Sequence, residues 1–177
     1  SREGNKMSNA HDFAKENGSR FREQLKDLIR IPSISTLPER KGDMLKAANW
    51  LADDMRRIGF GTVEIISTAG HPVVYGEWLG AGADASTVLV YGHYDVQPAV
   101  ITDGWDSDPF EPVERDGKLY ARGSSDDKGQ VFAQLKAVES LLATGKPPVN
   151  IKFLIEGEEE IGTPNLGALV AQNRERF

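Results

Sequence analysis

The stretch Tyr91-Gly92-His93-Tyr94-Asp95-Val96-Gln97-Pro98-Ala99 places the tightest constraint on what this chain can fold into. It follows the apolar run Thr87-Val88-Leu89-Val90, which reads as a buried strand. Where the apolar pattern stops, a histidine and an aspartate stand two residues apart. Gly92 lets the backbone open there, and Pro98 keeps the strand from running on. In α/β sheets ligands bind at the C-terminal ends of strands. An imidazole at such a point can ligate a metal. An aspartate two residues on can face the same way and hold the other ring nitrogen, fixing tautomer and orientation. A His-x-Asp pair alone is more often a partly exposed histidine beside a solvated carboxylate, so the weight falls on the residues downstream of it.

Composition limits the partners of such a site. The 177 residues include no cysteine, so disulfides and thiolate ligands are excluded and any metal must be held by His, Asp and Glu. With 21 Lys and Arg against 27 Asp and Glu, the net charge is −6. No basic stripe interrupts that balance, which argues against nucleic acid or an anionic membrane surface as a partner. No apolar run reaches membrane-spanning length, and the polar start is not a signal peptide. A cytoplasmic location is the expectation, with which the lack of cysteine is compatible. Residues 1–11, beginning Ser1-Arg2-Glu3-Gly4-Asn5-Lys6 before Met7, are set aside as a cloning remnant or disordered N-terminus. Residues 12–177 are read as one domain.

Along the chain, Phe21, Leu25, Leu28 and Ile29 mark one face of a helix that begins between Asp12 and Ser19 and stops before Pro32. Met44, Ala47, Ala48, Leu51, Met55 and Ile58 mark a second helix, with Gly59 as its stop and Trp50 as a packing residue. Strands are expected at 62–67, 73–79 and 87–91. Gly80-Ala81-Gly82 lacks the third glycine of a dinucleotide loop and leads into a strand, so it is read as a hairpin-like turn. His71, before Pro72, is read as a solvated loop residue.

Residues 97–125 form a long polar loop with a hairpin turn at Asp116-Gly117. Next in the chain is a helix with Val131, Leu135, Val138 and Leu142 on its buried face. Then come a strand over 149–155 and a last helix opened by Thr163-Pro164. Alternating strands and helices imply a layered α/β domain, its central mixed sheet mostly parallel and flanked by helices.

Three clusters sit at the ends of three elements: His93 with Asp95, Asp126 with Asp127, and Glu158-Glu159-Glu160. Singly, each has a plain reading. Asp126 and Asp127 suit a helix N-terminus, and a glutamate run suits a solvated loop. Converging on one crevice, they would repel each other unless a cation sat between them, and oxygen and nitrogen donors without sulfur suit zinc, manganese or cobalt. One of two adjacent carboxylates can then ligate while its neighbour takes a proton from water, the arrangement of metal-assisted hydrolysis.

Four segments carry a resemblance. They are Tyr-Gly-His93-Tyr-Asp95-Val-Gln-Pro, Asp-Gly-Trp105 with Asp108-Pro-Phe, Asp-Gly-Lys-Leu-Tyr-Ala-Arg-Gly-Ser-Ser-Asp126-Asp127-Lys-Gly, and Glu-Gly-Glu-Glu159-Glu160-Ile-Gly. Together they resemble the co-catalytic metallopeptidases: carnosinase-like dipeptidases, glutamate carboxypeptidases, aminoacylases and succinyl-diaminopimelate desuccinylases. The wording is most similar to the carnosinase-like branch.

The resemblance implies two divalent metals, zinc first and manganese or cobalt as alternatives. It implies His93 on one metal, Glu160 on the other and Asp126 bridging both. Asp95 would orient His93, and Glu159 would be the general base. Asp127 and Glu158 would be helix-start and loop residues. A cis peptide is implied between Asp126 and Asp127. The substrate implied is a dipeptide or the C-terminal bond of a short peptide, and an acyl-amino-acid deacylase or a truncated, non-catalytic module are the alternatives. In that family a further carboxylate, a final histidine and a lid and dimerisation domain come later in the chain. The present chain is therefore expected to be the N-terminal part of the catalytic domain, inactive alone, from a homodimeric parent.

Overall fold

The computed structural model describes residues 9–177. Two short helices open it, α1 (Ala10–Glu16) and α2 (Gly18–Ile29), separated at Asn17. Asn9 caps α1 by accepting the Asp12 N–H at 2.9 Å. Residues 9–11 are thus an ordered cap and helix start. Residues 1–8 lie outside the described residues. The third helix, α3 (Lys41–Ile58), buries Met44, Ala47, Ala48, Leu51 and Met55. It ends at Gly59, whose φ of +111° suits the left-handed cap.

Strands β1 (Thr62–Ile66), β2 (Val73–Trp78), β3 (Thr87–His93) and β6 (Asn150–Glu156) form one sheet in the order β1-β2-β6-β3. A separate hairpin, β4 (Val113–Arg115) and β5 (Lys118–Tyr120), turns through Asp116 and Gly117, both at positive φ. Helix α4 (Lys128–Thr144) precedes β6, and α5 (Leu166–Gln172) comes after it.

The sheet is mixed and flanked by helices as expected, but it is not mostly parallel. Only β3 and β6 run parallel, while β1–β2 and β2–β6 are antiparallel. The six residues between β1 and β2 are too few for a parallel crossover, so those strands must reverse. The hairpin-like reading of Gly80–Ala85 also fails, because β6 lies between β2 and β3. Instead the loop passes the start of β6 and is pinned there by Asn150. The Asn150 side chain accepts the Ala81 N–H at 3.1 Å and donates to the Gly82 carbonyl at 2.8 Å.

The apolar run of β3 is not buried in this chain. Among the described residues β3 pairs with β6 alone, and Val88, Leu89 and Tyr91 are about half exposed. The last helix also starts later than Thr163-Pro164 suggests. Thr163 is left-handed, at φ +55°, and Asn165 precedes the first helical residue.

One face of the sheet packs Val74, Ile151, Phe153 and Ile155 against Leu28, Met44, Leu51, Met55, Val131 and Leu135 of α2, α3 and α4. On the other face Val73, Tyr75 and Leu154 meet Leu169 of α5. Strand β6 is therefore covered on both faces, as the central strand of a three-layer domain must be.

Helices α2, α3 and α4 are also tied by charge. Lys136 of α4 lies 2.7 Å from Asp54 and 2.9 Å from Glu139, and Arg57 of α3 and Arg20 of α2 both reach Glu139. Burial alone would raise the Glu139 carboxyl, but hydrogen bonds from Arg57, Lys136 and Arg20 outweigh it and hold the group down to about 2. A depressed carboxylate contributes stability above its ordinary value near 4.5 and loses it as pH falls through the folded value. Glu139→Gln should therefore cost about 3 kcal/mol at pH 7, since it removes the carboxylate that buried Lys136 and the part-exposed Arg57 and Arg20 share. In urea unfolding, the gap between wild type and variant should close between pH 4.5 and about 2. A gap that stays constant over that range would contradict this.

Candidate metal centre

Strands β3 and β6 end side by side, with His93 opposite Glu156 in parallel register. Both C-terminal ends therefore open into the same crevice. His93 is the last residue of β3 and is buried at 6% exposure. The strand runs two residues further than its apolar pattern, because pairing continues after hydrophobicity stops.

The third contributor is the turn before α4. Asp127 precedes the first helical residue, Lys128, and its carboxylate accepts the His93 backbone N–H at 3.1 Å. The Asp126–Asp127 peptide is cis. Two glycines make the approach of this turn feasible. A Cβ on Gly92 would lie 2.5 Å from Val131 and 2.8 Å from the Asp127 carboxylate, and one on Gly129 would lie 1.9 Å from the Ser124 carbonyl.

Beyond β6 the chain makes one short 3-10 turn, Glu159–Ile161, which presents Glu159 and Glu160. Asp95 sets that turn. Its carboxylate is fully buried and accepts the Glu159 N–H at 3.2 Å, the Glu160 N–H at 3.0 Å and the Ser35 hydroxyl at 2.6 Å. Burial would raise this carboxyl, but His93, Ser35 and the Glu160 N–H outweigh burial and lower it.

His93 Nδ1 faces two acceptors of the same residue, the Asp95 carbonyl at 2.9 Å and its carboxylate at 3.2 Å. That places a proton on Nδ1 and turns Nε2 outward. Nε2 then lies 3.1 Å from Asp126 and 3.6 Å from Glu159. Burial alone would depress the imidazole, yet its hydrogen bonds to Asp95 and that group's charge raise it to about 9. A lone-pair nitrogen confronting two carboxylates is repulsive unless a second proton or a cation stands between them. Ligand atoms of His93, Asp126 and Glu160 all lie within 4.8 Å of one another. With one nitrogen and two carboxylate donors and no sulfur, the set fits a divalent cation. Asp126, with its side chain 70% exposed, leaves the centre open to water on one side.

His93, Asp126, Glu160, Asp95 and Glu159 therefore share one crevice. Asp127 stands at the helix start, and Glu158 is a loop residue, though a buried one that accepts from Asn165 at 2.8 Å. His71 and His11 stand apart from the cluster of ligand atoms. His71 is not merely solvated, because its Nε2 donates to the Ser35 carbonyl at 3.1 Å. The sequence reading missed Ser35, which holds Asp95, and Gln97, which donates to Glu160 at 2.8 Å. Gln97 lies two residues after Asp95 in the same motif, and that position as a polar neighbour was the signal that could have found it. Ser35 carried no local signal.

Residues 89–176 match the model of peptidase family M20/M25/M40. The Cys-Gly metallodipeptidase of Candida albicans is 35% identical over 181 residues, covering 94% of this chain and 37% of that protein. Human carnosine dipeptidase 1 superposes with a TM-score of 0.87 at 36% identity, over 95% of this chain and 38% of that one. The succinyl-diaminopimelate desuccinylase of Bordetella pertussis is 39% identical over 137 residues, 77% of this chain and 34% of its own length. The chain spans about a third of the length of the curated relatives it matches.

The role of Asp95 in holding the turn can be tested without any ligand. Asp95→Asn keeps the shape but offers one good acceptor oxygen in place of two. Hydrogen exchange at the Glu159 and Glu160 amides should quicken about tenfold, the loss of one modest hydrogen bond, while amides of α4 keep their protection. Unchanged exchange at both positions would contradict the assignment.

Proposed function

Because the chain belongs to peptidase family M20/M25/M40, we propose that it is part of a dinuclear metallopeptidase that hydrolyses dipeptides or the C-terminal bond of short peptides. The observation that carries this reading is the convergence of His93, Asp126 and Glu160 within 4.8 Å, from three separate elements, beside the carboxylate of Glu159. In this reading His93 and Asp126 hold one divalent metal, and Asp126 and Glu160 hold the other. Zinc is the first choice, and manganese or cobalt suit the same donors. When bound, the metals supply the positive charge that makes water acidic and polarises the scissile carbonyl.

The chain's own groups do the rest. Glu159 takes the proton of the attacking water on its carboxylate and returns it to the leaving amine. Asp95 keeps the His93 proton on Nδ1, so that Nε2 presents its lone pair outward. It also fixes the backbone of Glu159 and Glu160, so base and ligand keep their separation. Residues 1–177 would supply two ligands to each metal. The remaining ligands, a lid and a dimerisation surface are assigned to further chain, in keeping with relatives about two and a half times as long. Among the described residues no helix is long and apolar enough to cross a membrane. A cytoplasmic location belongs to the same proposal and rests on composition alone.

A deacylase acting on acyl-amino acids is the second reading, favoured by the identity to the desuccinylase. It uses the same residues and differs in what lies opposite them. In the full-length protein, Glu159→Gln should retain its metal, measured by elemental analysis, while kcat falls about 10²–10⁴-fold. Asp126→Ala should lose metal and turnover together. Equal metal loss in both variants would mean that base and ligand are wrongly assigned. Turnover of acyl-amino acids without turnover of dipeptides would favour the deacylase.

A further inference from the structure

Three residues that the proposed chemistry does not use meet immediately behind the centre. Glu156, the last residue of β6, is 1% exposed, and a single oxygen of its carboxylate accepts two hydroxyls. One is Tyr91 Oη, and the other is Thr163 Oγ1 at 3.1 Å. Tyr91 stands on β3 two residues before His93, on the same side of the strand. Thr163 stands three residues after Glu160, where the turn leaves the crevice. One buried oxygen thus ties the strand that carries the imidazole to the turn that carries both glutamates.

The choice of residue at 163 points the same way. Its φ of +55° lies in the left-handed region, where a β-branched side chain is disfavoured and glycine or asparagine would be easier. The threonine is held there by its N–H to the Glu158 carbonyl at 2.8 Å and by its hydroxyl to Glu156. Any residue but proline could make the backbone bond, whereas the bond to Glu156 needs a side-chain donor, which the hydroxyl supplies. Tyr91, by contrast, is about half exposed, so its ring contributes little packing and its hydroxyl is what reaches inward.

We infer that Tyr91, Glu156 and Thr163 form a positioning clamp that sets the distance between His93 on one side and Glu159 and Glu160 on the other. The clamp works opposite Asp95. Asp95 takes the start of the turn by the N–H groups of Glu159 and Glu160, and Glu156 takes its end through Thr163. Held at both ends, the turn cannot pivot, and Glu160 stays within reach of Asp126. The clamp's effect on metal affinity rests on reading His93, Asp126 and Glu160 as ligands, but its effect on the turn does not.

The test uses Tyr91→Phe, Thr163→Gly and Thr163→Ser, with two readouts. Glycine adopts positive φ freely, so Thr163→Gly relieves the backbone while removing the hydroxyl with the rest of the side chain. Serine restores the hydroxyl. In the metal-free protein, Tyr91→Phe and Thr163→Gly should each quicken exchange of the Glu159 and Glu160 amides about tenfold, with the thermal midpoint little changed. Zinc affinity, measured by competition with a chelator, should fall about 10–100-fold in both, as for other residues that orient ligands. Thr163→Ser should restore both. The double variant should be no worse than the sum of the two, since both hydroxyls act through one oxygen.

Unchanged exchange and unchanged affinity would overturn the clamp. So would losses that track the thermal midpoint and are not rescued by serine, because that pattern marks a merely structural role. If the unaltered full-length protein binds no zinc, the ligand reading fails, and the exchange data still decide whether the clamp holds the turn.

Discussion

The buried carboxylate of Asp95 is the interaction on which the rest of the centre depends. A carboxylate removed from water is costly unless its oxygens are supplied with donors. Here the donors come from three places: the Ser35 hydroxyl, the N–H groups of Glu159 and Glu160, and His93 Nδ1. Together they lower its protonation constant despite full burial. Each donor belongs to a different segment. Satisfying one charge therefore fixes the imidazole, the glutamate turn and the loop after α2 relative to one another. The ligand from a strand end and the ligand from a turn are not independent.

What brings those segments together is the single parallel pairing in the sheet. Because β3 and β6 run the same way in register, His93 and Glu156 end at one level, and the chain emerging from each strand lines the same crevice. Helix α4 enters at that level because Gly92 leaves room for Val131 and Asp127. The antiparallel strands β1 and β2 lie on the far side of β6 and give it a covered position. Burial of His93 and Asp95 thus results from topology, while Asp126 and Glu159 stay open to solvent on the rim.

Much of this could be read from the residues. The helical periodicities at Phe21–Ile29 and Met44–Ile58, the Gly59 stop and the Asp116-Gly117 hairpin are local signals, and local physics preserved them. The clusters at 93–95 and 158–160 were legible because charge appears abruptly where an apolar run stops, and that at 126–127 because two carboxylates stand just before a helical periodicity begins. Strand order was not legible. Nothing in the sequence between β2 and β3 says that a strand sixty residues later will insert between them. The exposure of Val88 and Leu89 was hidden for the same reason, since apolar content does not tell an outer strand from an inner one. The hydroxyl of Ser35 and the imidazole of His71 act through single hydrogen bonds to distant partners, and the hydroxyl of Thr163 through one to Glu156. Such bonds leave no periodic trace.

The central claim is that His93, Asp126 and Glu160 together hold divalent metal. X-ray diffraction across the zinc absorption edge, from crystals of the protein grown with zinc, tests it most directly. Anomalous density should lie about 2.0–2.2 Å from His93 Nε2 and from a carboxylate oxygen of Asp126, with Glu160 on the same cluster. Zinc found only at other surface carboxylates, with Nε2 of His93 unliganded and Asp126 and Glu160 turned apart, would contradict it.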